Sequence, residues 1–430
     1  MRAKIVLLAV ALFFILGSFG LSAQEKYRIA DIVFHIKGIT RENALRRNAE
    51  IQVGREFASL EELKAYLADR QQVIINLRVI ATAEITYSEK GQADGVSLVE
   101  VHVYTKDTWN ILALPYLEYS SNTGIEMMIK ARDYNFLGTM ESLRANLYYY
   151  EQSGDFSLSV TLPLNFPMLG LSWTLTPSQG LDILGDDPDD DYYLSNGLGL
   201  SSKVPTALII GHYPVNFTFG VSSDINYTLD PDKPISESRR GITAGFNHGL
   251  SNGRVDWKSN FRNGYSFSLG NTYEYNLYRE TWSRAISFEA IFHRAFSPFG
   301  FSSRFYTFYN LDVDDEAGGP LRGILDKRMY GNLGLYVNTD LALKLWRWPK
   351  FFELQTGIFF DTGIAKAKEE AFDPEDCMFA GGMEVVVFPL FARSIYVRAS
   401  FGLDLKAVLE TRAVGGSYKR EIFIGAGHHY

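Results

Sequence analysis

Cysteine is nearly missing from this sequence: Cys377 stands alone among 430 residues. One thiol excludes an internal disulfide framework and any cysteine-rich metal site, and the ordinary state of a lone one is free and buried. A basic surplus is missing as well. The formal net charge is −8, which leaves no electrostatic footprint for nucleic acid. Beyond residue 23 no run of about 20 uninterrupted apolar residues occurs, so no later segment can cross a bilayer as a helix. The seven histidines form no His-x-x-Glu-His or similar metal pattern, and there is neither a Gly-x-Ser-x-Gly elbow nor a phosphate-binding glycine loop. Catalytic residues, cofactor and metal are therefore all assigned as none, and the chain is not read as an enzyme. The acidic run at 186–191 could offer carboxylates to calcium. It lacks the spaced ligands and glycine of an EF-hand loop and reads as a solvated loop.

What is present starts with an export signal. Arg2 and Lys4 precede an apolar stretch over 5–20, and Ser22-Ala23 ends it, so residues 1–23 read as a signal peptide. The mature protein is then exported, and any membrane insertion must use strands. Residues 24–108 read as a small mixed domain. A strand is expected over 27–38, where Ile32, Phe34 and Ile36 alternate with Val33, His35 and Lys37. Helical spacing follows over 41–50 and 60–77, where Leu60, Leu63, Leu67 and Ile74 share a face and Ser59 with Glu62 forms a capping box. Strands at 83–87 and 96–104 complete a β-α-α-β-β order, with Val99, Val101 and Val103 on one side.

From 109 to 430 the pattern is repeated two-residue alternation. The longest stretch places Leu333, Leu335, Val337, Thr339, Leu341, Leu343 and Leu345 on one face; Asn332, Gly334, Tyr336, Asn338, Asp340, Ala342 and Lys344 lie on the other. At about 3.4 Å per residue, such a strand exceeds the ~17–20 Å usual in soluble sheets. A membrane barrel, with lipid outside and water inside, accommodates it. Other segments repeat the pattern, among them Ile395, Val397, Ala399, Phe401, Leu403 and Leu405 against Tyr396, Arg398, Ser400 and Asp404. The 14% aromatics and 37 glycines suit many strands, tight turns and aromatic girdles. Candidate strands number seventeen if 240–261 is split at Ser251-Asn252-Gly253, and a barrel with both ends on one side needs an even count. Short connections at 348–350 and 389–394 alternate with long polar ones at 178–191, 230–238, 311–329 and 367–376 only if 240–261 is one long, bulged strand. The count is then sixteen antiparallel strands, five of them after the 311–329 loop.

Two motifs sharpen this reading. Gly318-Gly319 precedes Leu321-Arg322-Gly323-Ile324, and Phe359, Asp361 and Gly363 form a Phe-x-Asp-x-Gly strand. A long loop folded into a lumen needs an anchor there, and an arginine fork can be accepted bidentately by a lumen carboxylate. With these motifs the chain resembles the BamA/TamA outer-membrane assembly superfamily, whose members join periplasmic POTRA domains to a sixteen-stranded barrel. Leu321 and Ile324 depart from the family's Val-Arg-Gly-aromatic loop. The resemblance makes 24–108 a POTRA-like periplasmic domain, with Gly38, Gly54 and Phe57 at its turns, and 109–430 an outer-membrane barrel. It implies insertion or translocation of other proteins by strand pairing at a lateral seam between the first strand, 111–120, and the last, 420–430. Gly425, Gly427 and the terminal Tyr430 are the seam residues, the two glycines weakening strand packing there. Its implied partners are unfolded outer-membrane or secreted proteins, outer-membrane lipid, and periplasmic or inner-membrane accessory proteins met through the POTRA domain. A two-partner-type secretion channel shares both motifs, and a passive pore or surface antigen without assembly activity is the other alternative.

Overall fold

The computed structural model describes residues 26–430 apart from 78, 122–123, 151–153, 184–191, 229–234, 238, 392–395, 412–419 and 427–430, with backbone alone at 112–118, 192, 410–411 and 426. The stretch read as a signal peptide lies outside the described residues, as does the acidic run at 186–191. The chain forms two compact units: one ends at Gly38 and resumes over Glu42–Lys106, the other comprises Ile39–Arg41 and Asp107–Tyr430.

The first unit runs β1 (Lys26–Lys37), α1 (Glu42–Ala49), β2 (Glu56–Phe57), α2 (Leu60–Asn76), β3 (Ile80–Ala93) and β4 (Val96–Asp107). Its sheet has the order β2-β1-β4-β3, with β1 and β4 parallel. Leu45 and Leu63 of the helices and Ile29, Val99, Val101 and Val103 of the sheet are fully buried. Each such side chain contributes about 1.5–3 kcal/mol relative to exposure. At the start of α2 the Ser59 hydroxyl accepts from the Glu62 backbone N–H at 3.2 Å, and the Glu62 carboxylate accepts from the Ala58 N–H at 2.8 Å. Two features depart from the sequence reading. The two-residue β2 is too short to show a period, and β3 runs well past 83–87 at both ends.

The second unit is a closed antiparallel barrel of sixteen strands. Its first half comprises β5 (Ile111–Ser120), β6 (Gly124–Asp133), β7 (Leu143–Tyr150), β8 (Phe156–Thr161), β9 (Leu164–Met168), β10 (Leu171–Ile183), β11 (Tyr192–Ile210), β12 (Tyr213–Tyr227) and β13 (Gly241–Lys258). Then come β14 (Phe261–Asn276), β15 (Thr281–Phe296), β16 (Phe299–Asn310), β19 (Leu333–Trp348), β20 (Phe352–Lys366), β21 (Met378–Pro389), β22 (Val397–Asp404) and β23 (Arg420–Ala426). β8 and β9 are halves of one strand: Thr161 lies opposite Ser178 and Leu164 opposite Leu175, a single register on β10. The break falls at Leu162-Pro163, where proline has no N–H for the ladder. Two short strands, β17 (Asp315–Glu316) and β18 (Tyr330–Gly331), pair within the 311–332 loop.

Burial on β19 is the inverse of a soluble strand. Leu335, Val337 and Leu341 are 37–40% exposed, while Tyr336 and Asn338 are 1% and 0% exposed. In water that arrangement would forfeit burial of Leu335, Val337 and Leu341; with lipid outside it is the stable one. Five strands follow the loop, from β19 to β23. Several boundaries differ from the sequence reading. β13 is one strand, but its registers on β12 and β14 run without a bulge, and it ends at Lys258 because Phe261 already begins β14. Residues 178–183 belong to β10 rather than to a loop. β22 stops at Asp404, and Leu405 opens a short helix, α3 (Leu405–Thr411). The cause is Asp404, whose carboxylate accepts from the Ala407 N–H at 2.9 Å and so caps a helix start. Cys377 is half-buried rather than buried, beside the Thr362 hydroxyl.

Candidate functional site

The loop between β16 and β19 enters the barrel, and its tip is buried against the lumen wall. Leu321, Ile324, Ala317 and Met329 pack with Tyr336, Met378 and Ala380. Gly363 lies directly opposite Tyr336 in the ladder. A Cβ at Gly363 would run into Cδ1 of the Tyr336 ring, so glycine lets that ring lie flat over β20. The Tyr336 hydroxyl thereby donates to the Ala317 carbonyl at 2.6 Å, and the Asn338 amide donates to the Pro320 carbonyl at 2.8 Å. Two positions of the polar face of β19 thus hold the two ends of the tip.

Arg322 is the centre. Asp361, fully buried on β20, accepts from the Arg322 backbone N–H at 3.0 Å, from Nε at 2.9 Å and from Nη2 at 2.8 Å. Nη1 donates to Asp340 of β19 at 2.5 Å and lies 3.6 Å from Glu384 of β21. The guanidinium also stands 4.0 Å from the Phe359 ring centroid. Burial alone would lower the arginine's pKa, yet the hydrogen bonds and attraction from Asp361 and Asp340 raise it above the usual value. The group is a fixed cation. A planar fork with five donors is the one side chain that can serve two carboxylates and stack on a ring at once.

The next residue ties the loop to the far strands. Gly323, at φ 90°, donates its N–H to Glu421 of β23 at 2.7 Å. Its backbone lies against Gly402 of β22, where a Cβ would come within 2.6 Å of the Gly323 Cα. Glycine at both positions is what permits that approach. Farther along, Arg328 pairs at 2.9 Å with Asp404, the residue that caps α3. The loop therefore holds on to β19, β20, β21, β22 and β23.

Of the residues singled out from sequence, Arg322, Gly323, Phe359, Asp361 and Gly363 are brought together here. Gly425 is buried on β23, opposite Arg398. Gly427 and Tyr430 lie outside the described residues. The barrel closes between β23 and β5, and among the described residues the pairs are Phe423 with Ser120 and Ile424 with Tyr119. Asp340, Glu384, Gly402, Asp404 and Glu421 were missed. Asp340 and Asp404 carried a signal, since each falls on the polar face of an alternating stretch; Glu384, Gly402 and Glu421 have no motif around them. Among the described residues no group of three or more His, Cys, Asp or Glu could hold a metal ion.

No protein-family model and no curated protein matches the sequence. Solved structures do. The chain is similar to CdiB from Acinetobacter baumannii, at 13% identity and a TM-score of 0.63, over 93% of this chain and 73% of that one. It is also similar to BamA from Haemophilus ducreyi lacking POTRA domains 1–3, at 11% identity and a TM-score of 0.51, over 93% of this chain and 84% of that one. The fold shared with these two is the sixteen-stranded barrel preceded by a small α/β domain.

Proposed function

We propose that this chain, built on the barrel fold of CdiB and BamA, is an outer-membrane factor that inserts or exports substrate proteins by strand pairing at its seam. The small α/β domain is then a POTRA-like domain in the periplasm, and the long loops face outside. The observation that carries the reading is a lumen loop tied to the strand at which the barrel closes: Gly323, next to the buried Arg322, donates its N–H to Glu421 of β23 at 2.7 Å. β23 meets β5 at Phe423 with Ser120 and at Ile424 with Tyr119. A backbone edge in lipid must find partners, so a closure that parts there is one that an incoming strand can complete. No chemical step is needed. The substrate's own burial of apolar surface and closure of its hydrogen bonds supply the driving force.

Depletion of the protein, followed by profiling of outer-membrane and secreted proteins, tests this reading. Loss of barrel proteins from the membrane identifies insertion; loss of a secreted protein alone identifies the two-partner-type channel. Unchanged profiles would leave a passive pore or surface antigen and defeat the proposal. The seam itself is tested in a Cys377→Ser background by Tyr119→Cys with Ile424→Cys, two facing residues exposed on the outer surface. Locking that pair as a disulfide should abolish the activity, and reduction should restore it. Activity that persists in the locked form would rule out the seam.

A further inference from the structure

Turns that face water are built from polar residues, glycine and proline. The turns on one rim of this barrel, the rim at which Ile111 opens β5, break that rule. They fall at 134–142, 169–170, 211–212, 259–260, 297–298, 349–351 and 390–396, between the strands bounded above. Six of these seven carry a large apolar side chain exposed at the tip or beside it. The residues are Leu137 (61% exposed), Leu169 (88%), Ile209 (66%), Phe296 (48%), Phe351 (56%) and Phe391 (66%). Only the Ser259-Asn260 turn has none. Charge is sparse in the same segments, with Glu141, Lys350 and Arg393 the charged residues among them. The β11–β12 hairpin goes furthest. Leu208, Ile209 and Ile210 follow one another, all exposed, so both faces of its tip are apolar and the alternation of the wall is abandoned. That tip is held in place, because the Tyr265 hydroxyl of β14 donates to the Ile210 carbonyl at 3.0 Å.

An exposed apolar patch marks something that covers it, and the distribution says what. A folded partner docks on one sector of a rim. These side chains recur from the β6–β7 turn round to the β21–β22 turn, on both sides of the polar exception. Only a medium that surrounds the barrel covers such a ring. It also continues the outward belt of the wall, where Val221 is 53% and Phe246 44% exposed. We propose that the rim carrying these turns is seated within the lipid leaflet, its apolar tips inserted at the boundary between headgroups and acyl chains, rather than standing in water. The occupant is phospholipid. This rests on the membrane location proposed above.

The test uses the full chain with Cys377→Ser and one new cysteine at a time: Leu169→Cys, Ile209→Cys or Phe391→Cys, with Val221→Cys on the wall and Ser259→Cys at the polar turn as references. Each carries an environment-sensitive fluorophore and is reconstituted into phosphatidylethanolamine–phosphatidylglycerol vesicles with or without brominated acyl chains. Heat-modifiable gel migration confirms that each barrel is folded. At 169, 209 and 391 the emission should shift to the blue and be lost to bromolipid much as at 221, with no such loss at 259. Turn labels that behave like 259 while 221 is quenched would overturn the inference and leave the membrane barrel standing. If the turn labels are shielded only in native membranes, the cover is a partner protein and the inference is equally wrong. An unquenched label at 221 would bring down the membrane location and this inference together.

Discussion

Asp361→Ala removes three hydrogen bonds at once from the buried Arg322. The Arg322 and Asp361 side chains are 5% and 0% exposed and stand 2.8 Å apart. At that 2.8 Å separation and an effective dielectric of about 20, the gross attraction is about 6 kcal/mol before desolvation is subtracted. Breaking one side of a buried pair costs about 3–5 kcal/mol, because a charge is left behind without its partner. Here Asp340 remains on Nη1 at 2.5 Å and is itself 16% exposed, which argues for the lower end, about 3 kcal/mol. At 1.4 kcal/mol per decade that is roughly a hundredfold shift toward a released loop. Ala317→Cys in the Cys377→Ser background reports it, since Ala317 is 2% exposed while the loop is docked. Maleimide labelling should accelerate about a hundredfold in Asp361→Ala and in Arg322→Ala. The double variant should label within a few-fold of either single one, because the second substitution removes a partner that has already lost its contact. Arg322→Lys should fall between, keeping the charge but losing the fork. Additive acceleration of about ten-thousandfold, or none, would refute the coupling on which the loop's position depends.

Gly402→Ala should also accelerate labelling at that cysteine while leaving the barrel closed, since its Cβ would lie 2.6 Å from the Gly323 Cα and the tip must lift. Unchanged labelling would mean the two backbones can part freely. Protease added to intact cells should nick the loops at 186–191 and 367–376 before residues 27–104; early cleavage in the amino-terminal domain would reverse the topology.

The barrel was legible because its solvent is reversed. Alternation over 332–345 needs only a period of two, and the same period fixes which residues face the lumen, so Tyr336, Asn338 and Asp340 could be placed before any contact was known. The strand number followed from loop lengths, and Arg322 and Asp361 from motif spacing. What stayed hidden depends on contacts distant in sequence. Glu421 lies 98 residues from Gly323 and nothing beside it marks an acceptor. Gly402 looks like any strand glycine until a loop backbone is laid against it. The end of β22 was misplaced for a related reason: Leu405 continues the apolar face, and only the cap at Asp404 decides that the chain turns helical there.

On the proposed reading the lock at Arg322 and the seam are mechanically one device, and Glu421 is the joint. It lies on β23, whose other neighbour is β5, and it accepts the N–H of the residue next to Arg322 at 2.7 Å. So long as Arg322 stays on Asp361, the loop holds β23 against the β19–β22 wall. Opening at the β23–β5 pairs then leaves β23 with the loop, and it is β5 that moves. A displaced β23 would first have to give up the Gly323 bond, leaving a buried N–H unpaired at about 1–3 kcal/mol. Glu421→Gln keeps an oxygen acceptor, whereas Glu421→Ala does not. In the Tyr119→Cys, Ile424→Cys background, the glutamine variant should crosslink as efficiently as the parent. The alanine variant should crosslink several-fold less, because a strand freed from the loop samples the paired position less often. Equal crosslinking in all three would show that the loop does not hold the last strand, and the two regions would have to be treated as separate.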